Sequence, residues 1–238
     1  MSINPTSKIL IAFLIVLTFS CQKYLEEEPS VFASPDQILV DAAGAELYTV
    51  GNYAQIKVLA SDFDGWLLLW GTIGTDEIVI PNWGASIRSI YLHSFTTSNN
   101  LILNVWRNLY RSINRINSGI ERIDAMNSEQ IDEDLKNKYI GEHKFLRAML
   151  YFSLVSTWEN IPLILEESKS EDIGNFEVSQ STAKEVYNQI IEDLLFAESV
   201  LNEVQGQGRA TKGAAQALLG KVYLQMTGPP LNETDKYT

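Results

Sequence analysis

The chain has 238 residues, of which 45% are hydrophobic, and a formal net charge of −12 at pH 7. This composition predicts a globular protein with one large domain or two small ones. The acidic excess argues against a nucleic-acid-binding protein, since it repels phosphates, and the single cysteine excludes an internal disulfide and a cysteine-based zinc site.

Residues 1–20 are predicted to be a lipoprotein signal peptide. Lys8 provides a basic flank, and Ile9–Phe19 form an apolar run that is too short to span a bilayer, for which about 20 residues are needed. The only cysteine, Cys21, directly follows Ser20 at the end of this run. We therefore expect cleavage before Cys21 and acylation of its thiol. The alternative is ordinary secretion, with Cys21 as an incidental thiol.

Residues 21–34 contain an acidic triplet, Glu26-Glu27-Glu28, and are predicted to be a solvated tether. Ser34-Pro35-Asp36 then provides a helix start, with a cap residue, a proline in the first turn and an acid near the positive end of the helix dipole. A helical-repeat domain is predicted to begin there and to occupy residues 35–238. Its first helix is expected to end before Asp62. The side chains expected to face inward from this helix are Ile38, Ala42, Ala45 and Tyr48.

Residues 62–98 are predicted to be an irregular, aromatic-rich insertion in the helical scaffold. Four glycines and Pro81 interrupt any long helix in this segment. Ile78-Val79-Ile80 is compatible with a short strand. The aromatic residues concentrated here are Trp66, Trp70, Trp83 and Tyr91. Long loops of this kind are usually functional, or they are held against the core.

Two long amphipathic helices follow and form a predicted αα-hairpin. The first begins at Ser98-Asn99 and repeats apolar residues every three or four positions through Ile123. Asn127-Ser128 separates it from the second helix, which is expected to run from about Ile131, with one apolar stripe. This second helix must end before Pro162, because the residue preceding a proline avoids the α region.

Two charged residues lie in the middle of that second helix. Glu142 and Arg147 fall within its apolar segment, where a charge is tolerated only if it is paired or lies at the rim. We interpret them as an internal charge pair or network that braces the helices.

A second hairpin is predicted in the last part of the chain. Thr182–Glu185 is a capping box, and a helix rich in small residues runs from Thr211 to Gly228-Pro229-Pro230, with Leu224 among its inward-facing residues. Paired helices in series predict a mainly α fold of tetratricopeptide-like helical hairpins with an irregular aromatic-rich insertion. The spacing does not keep a strict repeat of roughly 34 residues.

Several motifs along the chain occur in a specific combination. They are Cys21-Gln22-Lys23-Tyr24-Leu25, the Asp76-Glu77 pair, Trp106-x-x-Leu109-Tyr110-x-x-Ile113-x-x-Ile116-Asn117, Gly141-Glu142-x-x-Phe145-Leu146-Arg147-Ala148, Tyr151-Phe152-x-Leu154-Val155, Ile161-Pro162-Leu163, and Thr211-x-x-Ala214 with Leu218, Val222, Tyr223 and Leu224. Through them the chain resembles the SusD/RagB family of Bacteroidetes outer-membrane lipoproteins. Two residues depart from the family pattern: Glu159 replaces a glycine, and His143 replaces a small residue.

This resemblance implies a non-catalytic, lipid-anchored protein of the outer membrane, exposed at the cell surface. Such a protein would capture oligosaccharides and deliver them to a SusC-like TonB-dependent transporter, without a cofactor. Family members are longer, so the resemblance also implies that a carboxy-terminal part carrying much of the ligand-binding surface is not in this sequence. The alternative is a helical-repeat scaffold lipoprotein that binds only protein partners.

The candidate ligand-binding residues lie in the irregular insertion. Trp83, Tyr91 and Trp66 offer aromatic faces that can stack on sugar rings, and Asn82 offers an amide that can bind sugar hydroxyl groups. The alternative for each tryptophan is burial in the core, because aromatic side chains bury large areas. Trp106 and Trp158 lie on the helical stripes, and the same argument predicts that these two belong to the core.

Other site chemistries find little support in the sequence. Asp76 and Glu77 could be paired carboxylates for glycoside hydrolysis, but adjacent residues rarely face each other across a scissile bond. His93 and His143 have no partner at a ligand-like spacing, so no metal site is predicted. The chain has no phosphate-binding glycine loop and no nucleophile motif.

Overall fold

Seven helices make up most of the described structure. The computed structural model describes residues 34–61, 72–79, 83–169, 178–206 and 208–234. The helices are α1 (Pro35–Ile38), α2 (Ala42–Ser61), α3 (Ala85–Tyr91), α4 (Asn100–Asp124), α5 (Glu133–Trp158), α6 (Ala183–Val200) and α7 (Lys212–Met226). The predicted mainly α fold is confirmed. The predicted signal peptide and nearly all of the predicted tether lie outside the described residues.

The first predicted helix is in fact two helices, and the prediction of one continuous helix is wrong. The chain turns at Leu39–Asp41, where the Asp41 carboxylate accepts a hydrogen bond from the Gly44 backbone N–H at 2.8 Å. A Cβ on Gly44 would lie 1.7 Å from the carbonyl oxygen of Ile38, so only glycine permits this turn. Asp41 thus caps the start of α2, whereas in one continuous helix it would occupy a mid-helix position, which is unfavourable for aspartate. The four residues expected to face inward do so, since Ala45 and Tyr48 are buried and Ile38 and Ala42 pack against the same cluster.

The residue predicted to start α4 also ties this helix to α3. The Asn99 side-chain oxygen accepts hydrogen bonds from the backbone N–H groups of Leu101 and Ile102, at 2.9 and 3.3 Å. Its amide nitrogen donates to the Ser86 carbonyl and the Ser89 hydroxyl, each at 3.0 Å. The predicted cap is therefore confirmed.

Helix α5 lies at the centre of the molecule and packs against α2, α4, α6 and α7. Sequence periodicity predicts one apolar stripe along α5, formed by Leu135, Tyr139, Phe145, Leu146, Met149, Phe152 and Val155. Tyr139, Leu146, Phe152 and Val155 are buried, which confirms the stripe, but burial extends beyond it. The completely buried residues outside the stripe include Ala148, Leu150, Tyr151 and Leu154. A helix that has neighbours on several sides buries more than one face. Its apolar residues are then not confined to one stripe, as they are in a surface helix.

The segment after α5 is held by side chains of α4 and α5. Tyr151 Oη donates to the Ile164 carbonyl at 2.7 Å and accepts from the Ile164 backbone N–H at 2.8 Å. Tyr110 Oη donates to the Pro162 carbonyl at 2.8 Å. The chain enters this segment through Glu159, whose φ of 60° lies in the left-handed region that favours glycine. The position at which Glu159 replaces the glycine of the resembled family is therefore a conformationally demanding one.

The second hairpin, formed by α6 and α7, begins and ends where the sequence predicts. Thr182 and Glu185 form the reciprocal capping box at the start of α6, and Thr211 Oγ1 accepts from the Ala214 N–H at 3.1 Å at the start of α7. The inward orientation expected for Leu224 is wrong, because this side chain is 57% exposed. Helix α7 packs mainly on α6, so its opposite side remains exposed.

The predicted strand is not formed in the part of Ile78–Ile80 that the structure describes. Residues 78 and 79 have no strand pairing, and Val79 is exposed. A single antiparallel bridge between Ile161 and Ser181 connects the two ends of the loop between α5 and α6. Across the described residues, no helix is both long and apolar enough to cross a membrane.

Candidate functional site

Two of the four predicted ligand contacts lie within the described structure. Trp83 is 38% exposed and immediately precedes Gly84, the N-cap of α3, whose φ is 88°. Tyr91, the last residue of α3, is half-buried and packs against the main hydrophobic core. Trp83 is thus not a completely buried core residue, whereas Tyr91 lies at the edge of the core, and the role of both as ligand contacts stays a prediction. The other two candidates, Asn82 and Trp66, lie outside the described residues, as does Cys21.

The hydroxyl groups of α3 contribute to structure. Ser89 Oγ donates to the Ser86 carbonyl at 2.8 Å and also accepts from the Asn99 amide. These bonds hold the start of α4 against α3. A ligand near Trp83 would therefore find the Ser89 hydroxyl already engaged.

An aromatic groove that was not predicted lies between the start of α4 and the end of α5. It has a volume of about 460 Å³. Its lining residues are Phe95, Thr96, Thr97, Ile102, Leu103, Trp106 and Trp158. The Trp106 ring packs 5.0 Å from that of Trp158 in an edge-to-face arrangement, and 4.9 Å from that of Tyr110.

The groove changes the interpretation of its two tryptophans. Trp106 and Trp158 are half-buried and pack against the core, as predicted, and they also line an open surface. Trp158 is the last residue of α5 and Trp106 lies in the second turn of α4, so each is near a helix end. Tryptophans near helix ends are the sequence feature that could have indicated this groove.

The rim of the groove combines apolar and hydroxyl groups. Phe95 and Leu103 are exposed apolar side chains, and Thr96 and Thr97 supply hydroxyl groups, of which Thr96 Oγ1 lies 2.9 Å from Ser98 Oγ. Shallow grooves with aromatic walls and a few polar groups are typical of small-molecule sites. The groove can accept the apolar face of a flat ligand and can bind hydroxyl groups at its edge.

The buried charged side chains form ion pairs and hydrogen bonds with one another inside the helix stack. Arg147 Nε and Nη2 each donate to the Asp193 carboxylate at 2.8 Å, and Nη1 donates to Asn117 Oδ1 at 2.9 Å. Arg209 binds Glu142 through two nitrogens, at 2.8 and 2.9 Å, and also pairs with Glu46. Glu142 and Arg147 are thus internal braces, as predicted, but they belong to two separate networks and do not pair with each other.

His143 is a buried neutral side chain. Its Nε2 lies 2.9 Å from the Asn52 amide nitrogen and its Nδ1 lies 2.8 Å from the Tyr139 carbonyl. These partners assign Nδ1–H as the donor and Nε2 as the acceptor. Burial lowers the pKa of His143 to about 4. Among the described residues, no group of three His, Cys, Asp or Glu side chains could hold a metal ion.

Comparisons with known proteins agree on one family. A SusD-like family model described as "Starch-binding associating with outer membrane" matches residues 73–224. SusD-like protein P25 of Formosa agariphila is 24% identical over 235 residues, which cover 91% of this chain and 42% of that protein.

Solved structures show the same relationship. A SusD homologue from Bacteroides thetaiotaomicron aligns with a TM-score of 0.68 and 28% identity, covering 85% of this chain and 39% of its own. A laminarin-binding SusD-like protein aligns with a TM-score of 0.66 and 28% identity, covering 76% of this chain and 39% of its own. The chain thus spans less than half the length of these relatives.

Proposed function

This chain belongs to the SusD-like family of starch-binding proteins that associate with the outer membrane, and from that membership we propose a role in capturing oligosaccharides at the cell surface. In this proposal the protein is anchored through lipid on Cys21. It delivers its ligand to a SusC-like TonB-dependent transporter. The family match across residues 73–224 is the observation that carries the proposal, because it covers most of the insertion and most of both hairpins.

Two further observations support carbohydrate as the ligand. One solved relative is named as binding laminarin. Trp83 and the aromatic groove place indole rings at the surface, and aromatic rings offer the flat apolar face on which a sugar ring can stack.

Four carboxylates of the described structure lack the arrangement that glycoside hydrolysis requires. Asp76 and Glu77 are adjacent, exposed residues in a turn. The buried carboxylates of Glu142 and Asp193 are each held by an arginine. Glycoside hydrolysis usually requires two carboxyl groups that flank the bond to be cleaved, so none of these four residues fits the task.

The proposal is tested by calorimetric titration of the purified chain with laminarin and starch oligosaccharides. We expect binding without release of reducing ends. Replacing Trp83 by alanine should weaken binding about tenfold or more, because stacking on an aromatic ring is worth roughly 1–3 kcal/mol and 1.4 kcal/mol is about one decade in affinity. Leu92→Ala is the control, since Leu92 is also exposed but lies at the other end of α3.

Each outcome separates one candidate function from another. Release of new reducing ends would contradict the non-catalytic role. Capture of a TonB-dependent transporter without binding of either glycan would favour the protein-binding scaffold. If Trp83→Ala binds as tightly as the unchanged chain and keeps its helical circular dichroism, the ligand does not contact Trp83.

A further inference from the structure

The outer face of α4 carries a basic stripe, which we define as Arg107, Arg111 and Arg115. These residues are four positions apart and all three are exposed. No acidic residue occurs between Asn100 and Ile120. In a chain with a net charge of −12, a helix face with three cations and no anions requires a physical explanation.

Arginines elsewhere in the helix stack already hold carboxylates. Arg122 pairs with Asp36 and Glu167, Arg147 pairs with Asp193, and Arg209 pairs with Glu46 and Glu142. The guanidinium carbon of Arg115 lies 5.3 Å from the ring centre of Tyr48, and this cation–π contact holds the Arg115 side chain in place.

Arg107 and Arg111 differ from these arginines. Within the part of the chain that the structure describes, neither forms an ion pair with a carboxylate. Two exposed guanidinium groups one helical turn apart are therefore available to an external anion.

The basic stripe continues from the aromatic groove. Leu103 lines the groove and lies four residues before Arg107, so the two side chains are neighbours on the surface of α4. With a rise of about 1.5 Å per residue, the distance along the helix from Leu103 to Arg115 is roughly 18 Å. Aromatic and cationic side chains thus form one extended surface of a length that suits a short oligomer.

We propose that the aromatic groove and the basic stripe together bind an anionic oligosaccharide, one that carries carboxylate or sulfate groups. This inference rests on the proposed function and adds the charge class of the ligand. The indole and phenyl rings would contact the apolar faces of sugar rings, while the guanidinium groups would make paired, charge-assisted hydrogen bonds to the anionic substituents. A neutral glycan would use the rings and leave the arginines unpaired.

The site is tested with two probes that share a backbone, laminarin oligosaccharides and the same oligosaccharides after chemical sulfation. Affinities are measured by calorimetry at low and at high ionic strength. We expect the sulfated probe to bind at least about tenfold more tightly at low salt, a difference of about 1.4 kcal/mol. The difference should shrink at high salt, because exposed charges are screened.

The variants assign the effect to particular side chains. Arg107→Gln combined with Arg111→Gln should remove most of the preference for sulfated laminarin over laminarin, with laminarin binding unchanged. Phe95→Ala should weaken the binding of both probes, because Phe95 is exposed in the groove. Lys221→Gln is the control, since it removes a positive charge from the exposed side of α7.

Five outcomes would contradict all or part of this reasoning. Equal affinity for the two probes, or a double arginine variant that binds sulfated laminarin like the unchanged chain, would overturn the inference. If the double variant keeps glycan binding but loses capture of a transporter, the stripe is a protein interface and the inference is wrong. If Phe95→Ala changes neither affinity, the groove is not part of the site. Binding of neither probe would instead contradict the proposed function.

Discussion

At the scale of single residues, His143 shows how one substitution is accommodated in a packed interior. The resemblance described above implies a small residue at this position. Here the ring fits because residue 119 is glycine: a Cβ there would lie 2.5 Å from His143 Nε2. Tyr48 stacks on the imidazole with ring centres 6.1 Å apart. The helices α2, α4 and α5 therefore meet around a side chain that has no room to move.

The burial of His143 leads to a prediction about pH. Its pKa is about 4 in the folded chain, whereas an unfolded histidine has a pKa of about 6.5. Between these values the unfolded state binds a proton that the folded state does not, so stability falls as pH falls. We expect the free energy of unfolding to decrease by about 2 kcal/mol between about pH 7 and about pH 5. Urea unfolding at a series of pH values measures this change.

A variant separates the contribution of His143 to the pH dependence of stability from the contributions of the acidic groups. Asp36, Glu46 and Glu185 have pKa values that are lowered from their ordinary values, so their protonation affects stability mainly below the window in which His143 acts. His143→Gln should reduce the pH dependence between about pH 7 and about pH 5, even if the variant is less stable throughout. An unchanged slope in this variant would show that another group causes the pH effect.

At the scale of elements, the contact between α5 and α6 contains a buried ion pair, Arg147 with Asp193. Asp193 is completely buried, and Arg147 is 5% exposed. Besides Asp193, Arg147 holds Asn117 on α4 and the Leu165 carbonyl in the loop after α5. This one side chain connects three helices and a loop.

We predict that Arg147→Ala destabilises the chain by about 3–5 kcal/mol, because it leaves the Asp193 carboxylate buried without its main partner. The free energy of unfolding in urea measures the loss. Lys144→Ala is the matched control, since Lys144 Nζ approaches the same carboxylate only to 3.9 Å and is partly exposed. Its loss should be less than about 1 kcal/mol.

A second variant tests the cause of the Arg147 effect. Adding Asp193→Asn to Arg147→Ala removes the stranded charge and should recover part of the lost stability. If Arg147→Ala alone unfolds at the same urea concentration as the unchanged chain, the pair contributes nothing to stability.

Helix boundaries were largely predictable from sequence, because capping is a local interaction. Asn99, Thr182 and Thr211 each accept hydrogen bonds from backbone groups two or three residues ahead, and such short contacts leave a clear pattern. The break at Leu39–Asp41 was missed, since proline, aspartate and apolar spacing all favoured one long helix. The several buried faces of α5 were missed because they depend on neighbours that are distant in sequence.

The candidate site was only partly predictable for the same reason. Trp83 stood out because it lies in an irregular segment beside a glycine. The aromatic groove combines residues 95–97 with Ile102, Leu103, Trp106 and Trp158, and only the packing of α4 against α5 brings these together. Periodicity assigns Trp106 to a buried stripe but does not show where that stripe reaches the surface.

At the scale of the whole molecule, the attachment to the membrane is expected to depend on Cys21. Each buried CH₂ of an acyl chain contributes about 0.8 kcal/mol, and two or more chains hold a protein stably. Cys21→Ala should therefore release the protein from the membrane fraction, as measured by sedimentation and immunoblotting. Cells producing the unchanged chain provide the control. A variant that still sediments with the outer membrane at high salt would contradict the lipid anchor.

The central position of α5 has a consequence for how the molecule unfolds. In a linear array of repeats each hairpin contacts only its neighbours, so parts of the array can melt separately. Here α5 packs against α2, α4, α6 and α7, and removing it would expose the interior faces of both hairpins together. The chain should therefore unfold as one cooperative unit, with the amide hydrogens of α5 among the last to exchange with solvent.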